Sequence, residues 1–171
     1  MKLHIQTTRD DQRIAWLTAL AITIHIAESA LPAPIPGVKP GLANIITIIC
    51  LIHYGWRIAA WVAILRVLVG SILIGTFLSP TFALSLSGAV AAVAVLGLAS
   101  RLPLQLGPVG YSLLAAMAHM AAQFYTAYAL FIPHQGLFHL LPILMTIAVA
   151  LGIGSGIIAQ HMINRIRQVE T

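Results

Sequence analysis

The chain has 171 residues, of which 60% are hydrophobic and 8% are charged, and its formal net charge is +5. A soluble domain carries about 25% charged residues and a disordered chain has a low apolar content, so the composition excludes both classes. A disulfide scaffold is excluded because Cys50 is the single cysteine. The basic residues are dispersed along the chain, which argues against a nucleic-acid partner. The composition therefore predicts an all-α integral membrane protein.

A helix needs about 20 mostly apolar residues to cross a bilayer, and proline and glycine divide this chain into six apolar segments. The second segment is short, with about 20 Å of helix. Together the segments predict one six-helix transmembrane domain over 14–163, between an N-terminal segment at 1–13 and a C-terminal tail at 164–171. The predicted spans cover 14–31, 42–54, 58–78, 81–100, 109–132 and 137–163.

Positive charges set the expected orientation, because Lys and Arg collect in cytoplasmic loops. With an even number of spans, both termini share one side with the loops that carry Arg57 and Arg101, and Lys39 lies on the other. The sequence therefore predicts a multi-pass protein with both termini in the cytoplasm.

Polar side chains within the spans predict a binding site, since a charge inside a bilayer costs about 2.5 kcal/mol or more. Placed by helical rise, they lie between the bilayer middle and its outer edge, with Arg66 the deepest. Arg66 is the first choice for holding an anionic group, because its guanidinium offers a planar fork of donors. The candidate substrate-binding residues are His25, Glu28, Lys39, Asn44, Arg66, His119 and Gln123.

The loop after the first span is rich in proline and glycine, and it contains Pro36, Gly37 and Gly41. Such a loop is locally stiff yet able to turn sharply. We therefore expect it to cover the polar pocket as a lid.

Structural roles are the alternative for these residues. Glu28 and Arg66 could neutralise each other, each histidine could bond a backbone carbonyl, and the two amide side chains could join helices.

Small residues four positions apart, which let helices approach closely, occur at Ala15 and Ala19. The same spacing recurs at Ala59 and Ala63, at Ala118 and Ala122, and at Gly152 and Gly156.

The sequence lacks the motifs that several kinds of catalytic and metal-binding site require. There is no glycine-rich phosphate loop ending in Lys-Ser or Lys-Thr. The adjacent aspartates Asp10 and Asp11 precede the first span, and His134 and His139 lack a helical ligand spacing. The sequence therefore predicts no catalytic residue, no metal site and no cofactor.

The segment ESALPAPIPGVKPGLAN at 28–44 resembles that of the Gx transporter family, as do the runs 64–70, 75–82 and 84–88 and His119 with Gln123. That family is often labelled heptaprenyl diphosphate synthase component I and is similar to the S components of energy-coupling factor transporters. The resemblance implies a six-helix bundle in the bacterial inner membrane, with substrate bound under the loop between the first two helices. It also implies that Ala15 and Ala19 dock a transmembrane coupling subunit, while separate ATPase subunits use ATP.

The leading hypothesis is a non-enzymatic, substrate-binding subunit of an uptake transporter for a small polar or anionic solute. The rival is a membrane accessory of isoprenoid or quinone biosynthesis, or of a flavin- or quinone-linked electron-transfer assembly. A purely structural membrane anchor is the third possibility.

Overall fold

The computed structural model describes residues 8–30, 41–103 and 106–169, which form helices joined by short connections. A 3-10 helix, Gln135–Leu140, leads into the last α-helix. The prediction of an all-α fold with six helices is confirmed. The α-helices are α1 (Arg9–Ala30), α2 (Leu42–Tyr54), α3 (Trp56–Ile74), α4 (Pro80–Ala99), α5 (Pro108–Leu130) and α6 (Leu141–Val169).

Three helical stretches among the described residues are long and apolar enough to cross a membrane, namely Trp56–Ile74, Pro80–Ala99 and Gln135–Gln168. Helices α1 and α5 have 22 and 23 residues, which is roughly 33 Å or more of helix, but their polar residues lower their hydropathy. Large apolar side chains stay exposed on the outside, including Trp16 at 79% and Ile157 at 57%. Exposed apolar side chains of this kind fit a helical bundle that is surrounded by lipid.

Helix α2 lies at the centre of the bundle. It contacts α1, α3, α5 and α6, and every residue from 45 to 51 is buried. A helix that is apolar on all sides is stable when protein surrounds it. The short apolar segment predicted at 42–54 is therefore a real helix of 13 residues with those bounds, enclosed by its longer neighbours.

Local backbone chemistry explains two of the differences between the observed and the predicted helix boundaries. Helix α3 ends at Ile74, before residue 78, since Gly75 adopts the left-handed conformation with φ 76°. Helix α6 begins at Leu141 instead of residue 137, with Pro142 in its first turn.

The start of α1 is also earlier than the predicted residue 14. Thr8 precedes the helix, and its backbone N–H donates to Asp11 Oδ2 at 2.8 Å, while Asp11 N–H donates to Thr8 Oγ1 at 3.2 Å. This reciprocal arrangement is a capping box. It allows the helix to begin at Arg9, outside the apolar segment.

Small residues bring α5 and α6 into close contact. A Cβ added at Gly156 would lie 2.6 Å from Val109 Cα, and one at Gly152 would lie 2.9 Å from Ala116 Cβ. The spacing of Gly152 and Gly156 therefore serves packing within the bundle.

Candidate functional site

A cavity of about 290 Å³ lies inside the bundle, and every one of the six α-helices contributes to its lining. Its wall includes all of the predicted binding residues that fall within the described ranges. Polar groups scattered over more than 90 positions of sequence therefore meet in one place. Those residues are His25, Glu28, Asn44, Arg66, His119 and Gln123, together with Gly41 from the predicted lid.

Arg66 is the most deeply enclosed cation of the site. The side chain is 6% exposed, its Nη2 donates to Asn44 Oδ1 at 3.4 Å, and it interacts electrostatically with Glu28. Its Nε is buried without a hydrogen-bond partner among the described residues. A buried donor without an acceptor costs about 1–3 kcal/mol, so Arg66 would gain from a further acceptor that a shift of its side chain brings within reach.

Glu28 joins the end of α1 to the beginning of α2. Its side chain is 4% exposed, and its Oε1 accepts a hydrogen bond from the backbone N–H of Leu42 at 2.5 Å. The first N–H groups of a helix lack partners within the helix, and they carry the positive end of its dipole. Glu28 therefore caps α2 inside the bundle, a structural role that the sequence did not predict.

Both cavity histidines lie against glycines of the adjoining helices. A Cβ at Gly70 on α3 would lie 3.2 Å from His25 Cδ2, and a Cβ at Gly88 on α4 would lie 2.7 Å from His119 Nε2. His119 also hydrogen bonds to the backbone of Gly88, while its Nδ1 is buried without a partner in the described structure. The expected bond from a histidine to a backbone carbonyl is thus present at His119.

Hydroxyl and apolar residues complete the cavity, and the sequence reasoning missed them. Ser112 and Ser155 are buried at 3% and 7% exposure, and Thr81 and Ser85 line the wall from α4. Ser112 could have been found, because it lies two helical turns before His119 on the same face of α5. The apolar lining residues carry no such signal: Val67, Leu84, Ala116, Met120, Ala148 and Leu151.

Other predicted residues are not part of this cavity wall as described. Lys39, Pro36 and Gly37 fall outside the described residues, so their predicted roles in binding and in the lid remain predictions. Ala15 and Ala19 are exposed on α1 and do not line the cavity. Gly41, in contrast, does line the cavity, and it precedes α2 in the left-handed conformation, with φ 74°.

A second cavity of about 590 Å³ lies at the opposite end of the bundle, where α2 ends and α3 begins. Trp56, Tyr111 and Arg167 line it, and none of the predicted site residues does. Within the described ranges, no group of three His, Cys, Asp or Glu side chains is placed to hold a metal ion. The inner cavity, in contrast, is lined by hydrogen-bonding groups, by the opposite charges of Glu28 and Arg66, and by apolar side chains.

The family comparison covers most of the chain. The model of the family described as heptaprenyl diphosphate synthase component I matches residues 17–162. The chain belongs to this family. The match includes every residue that lines the inner cavity, and the predicted family label is confirmed. Neither the curated proteins nor the solved structures contain a match to the chain.

Proposed function

We propose that the protein is the substrate-binding subunit of a membrane uptake transporter, and that the inner cavity binds a small polar or anionic solute. The observation that carries this proposal is the convergence of polar side chains from separate helices on one cavity. Polar groups inside a membrane bundle are costly, and pockets with a few convergent polar groups in apolar walls are typical of small-molecule sites. In this proposal the chain binds its ligand without transforming it.

The transport role implies partners that supply energy. The exposed face of α1 with Ala15 and Ala19 is suited to close approach by another helix, so it is our candidate for docking a coupling subunit. Separate ATPase subunits would then drive uptake. In this arrangement the protein lies in the bacterial inner membrane with both termini in the cytoplasm.

The experiment is identification of the bound molecule. The protein is purified in mild detergent and denatured, and the released small molecules are identified by mass spectrometry. Ser85→Phe fills the cavity and should abolish the bound molecule. Ser87→Phe is the matched control, since Ser87 is on the same helix but does not line the cavity. Equal release from both variants, or no release from the wild type, would contradict the proposal.

Arg66 gives a second test in cells. Arg66→Gln should reduce uptake of the identified molecule at least tenfold, because the ligand loses a buried guanidinium partner. Arg57→Gln is the control, since Arg57 is exposed and lies outside the cavity. Unchanged uptake with Arg66→Gln in protein that is expressed normally would count against the site.

The family description favours a second candidate, a membrane accessory of prenyl diphosphate or quinone biosynthesis. The cavity wall includes the apolar side chains of Leu84, Met120 and Leu151, which would suit a quinone ring or part of a prenyl chain. Release of a prenyl quinone, with no uptake defect on deletion, would favour this candidate.

A further inference from the structure

The charges that line the inner cavity balance each other. Among the described lining residues, Arg66 and Glu28 carry the formal charges at neutral pH with His counted as neutral. Both are almost fully buried, at 6% and 4% exposure, and they interact electrostatically. The described lining therefore contributes no net charge to the space that a ligand would fill.

Glu28 already occupies the position that favours an anion. Its carboxylate accepts from Leu42 N–H at 2.5 Å, at the positive end of the α2 dipole, and Arg66 provides the neighbouring cation. An anionic ligand would have to displace this carboxylate or add a second negative charge to a buried site. Burying an uncompensated charge costs several kcal/mol, so the arrangement selects against anions.

Neutral hydrogen-bonding groups, in contrast, have atoms to bind. Arg66 Nε and His119 Nδ1 are both buried without partners in the described part of the chain, and both side chains line the cavity. Because His119 hydrogen bonds to Gly88 through the opposite edge of its ring, its Nδ1 serves as an acceptor. Neither atom is accessible to water as placed, so a ligand with one acceptor and one donor satisfies both atoms after a shift of the two side chains.

The shape of the cavity restricts the ligand further. Lining residues on α5 run from Ser112 to Gln123, which is about 16 Å along the helix axis. A ligand that contacts both ends of this lining would therefore be elongated. Leu84, Met120 and Leu151 contribute apolar walls, and the buried Ser112 and Ser155 contribute hydroxyl groups.

We propose that the cavity selects an elongated, amphipathic molecule without net charge, which accepts a hydrogen bond from Arg66, donates one to His119 and packs against apolar walls from α4, α5 and α6. This inference rests on the proposed function, and it narrows the expected ligand from a polar or anionic solute to an uncharged or internally balanced molecule. Glu28 is the residue that excludes anions.

The test uses three probes of nearly equal shape: neutral benzamide, anionic benzoate and cationic benzamidine. Binding to the purified full-length protein is measured by calorimetry in detergent. The wild type should bind benzamide at least tenfold more tightly than either ion. Glu28→Gln keeps an oxygen that can accept from Leu42 N–H but removes the charge, so its preference should move to benzoate. Arg66→Gln removes the positive charge of the lining and should move the preference to benzamidine.

The outcomes separate this inference from the proposed function. A wild type that prefers benzoate, or a natural ligand identified by mass spectrometry as an ion of net charge, overturns the charge inference and leaves the binding function standing. If no natural ligand is released and none of the three probes binds, both fall. Because the two variants change the charge in opposite directions, either one alone tests the inference if the other does not fold.

Discussion

The imidazole ring of His119 lies directly against the Cα of Gly88, where an added Cβ would come within 2.7 Å of Nε2. This contact joins α5 to α4 at the wall of the inner cavity. Because the neighbouring helix has no side chain at this point, the ring can reach the backbone of Gly88 and form a hydrogen bond with it. The position of a cavity histidine is therefore set by a glycine that is distant in sequence.

Gly88→Ala should move the His119 ring into the cavity. The ring can rotate while the backbone stays in place, so we expect ligand binding to weaken at least tenfold. The free energy of unfolding should fall by only about 1–2 kcal/mol. Ligand release and thermal unfolding in detergent measure the two effects. Gly70→Ala should be milder, since its Cβ would lie 3.2 Å from His25. Equal binding by Gly88→Ala and wild type would contradict the positioning role.

Gly156→Ala should destabilise the contact between α5 and α6. The new Cβ would lie 2.6 Å from Val109 Cα, and backbone cannot move aside as a flexible side chain can, so we expect a loss of about 1–3 kcal/mol. Gly154→Ala is the control on the same helix, because nothing lies within 4 Å of its added Cβ. It should be neutral or slightly stabilising, as Ala favours helix by about 1 kcal/mol over Gly. Thermal unfolding compares the two variants.

Trp56→Phe should weaken the junction of α3 with α4. Trp56 Nε1 donates to the carbonyl of Val93 at 2.9 Å, and the Arg101 guanidinium lies 5.9 Å from the ring centroid. Loss of a hydrogen bond of this kind costs about 1 kcal/mol. Trp16→Phe is the control, because Trp16 is 79% exposed on α1. Similar unfolding temperatures for the two variants would show that the indole donor contributes nothing.

The start of α1 should depend on pH. Hydrogen bonds from the backbone N–H and then the hydroxyl of Thr8 lower the pKa of Asp11 below its usual value of 3.8. A lowered pKa means that the carboxylate stabilises the folded helix end at neutral pH, and that this support is lost as the pH falls through the lowered pKa. Hydrogen exchange of the amides at 9–13 should therefore quicken, relative to the chemical rate, below about pH 3.8.

Asp11→Asn should give faster exchange at neutral pH as well, because the amide is a weaker acceptor for the Thr8 donors. Asp10→Asn is the control: Asp10 makes an exposed ion pair with Arg13 at 3.3 Å, and such pairs contribute little. If both variants exchange alike, the capping box is not what fixes the helix start.

The sequence by itself determined the membrane class, the helix number and the family. The length of an apolar segment shows whether it can cross a bilayer, and proline and glycine mark where one helix ends and the next begins. It also identified His25, Glu28, Asn44, Arg66, His119 and Gln123 as one polar layer, because depth along each span can be counted from residue numbers.

Tertiary structure alone decided how these residues are used. Counting depth cannot reveal which way a helix face turns, so only packing shows that Glu28 caps α2 at Leu42 and that Gly88 makes room for His119. It likewise decided that α2 lies in the centre of the bundle, because burial on all sides depends on neighbours that are distant in sequence. The charge balance of the cavity follows from that packing, since a carboxylate and a guanidinium compensate each other only when the fold brings them together.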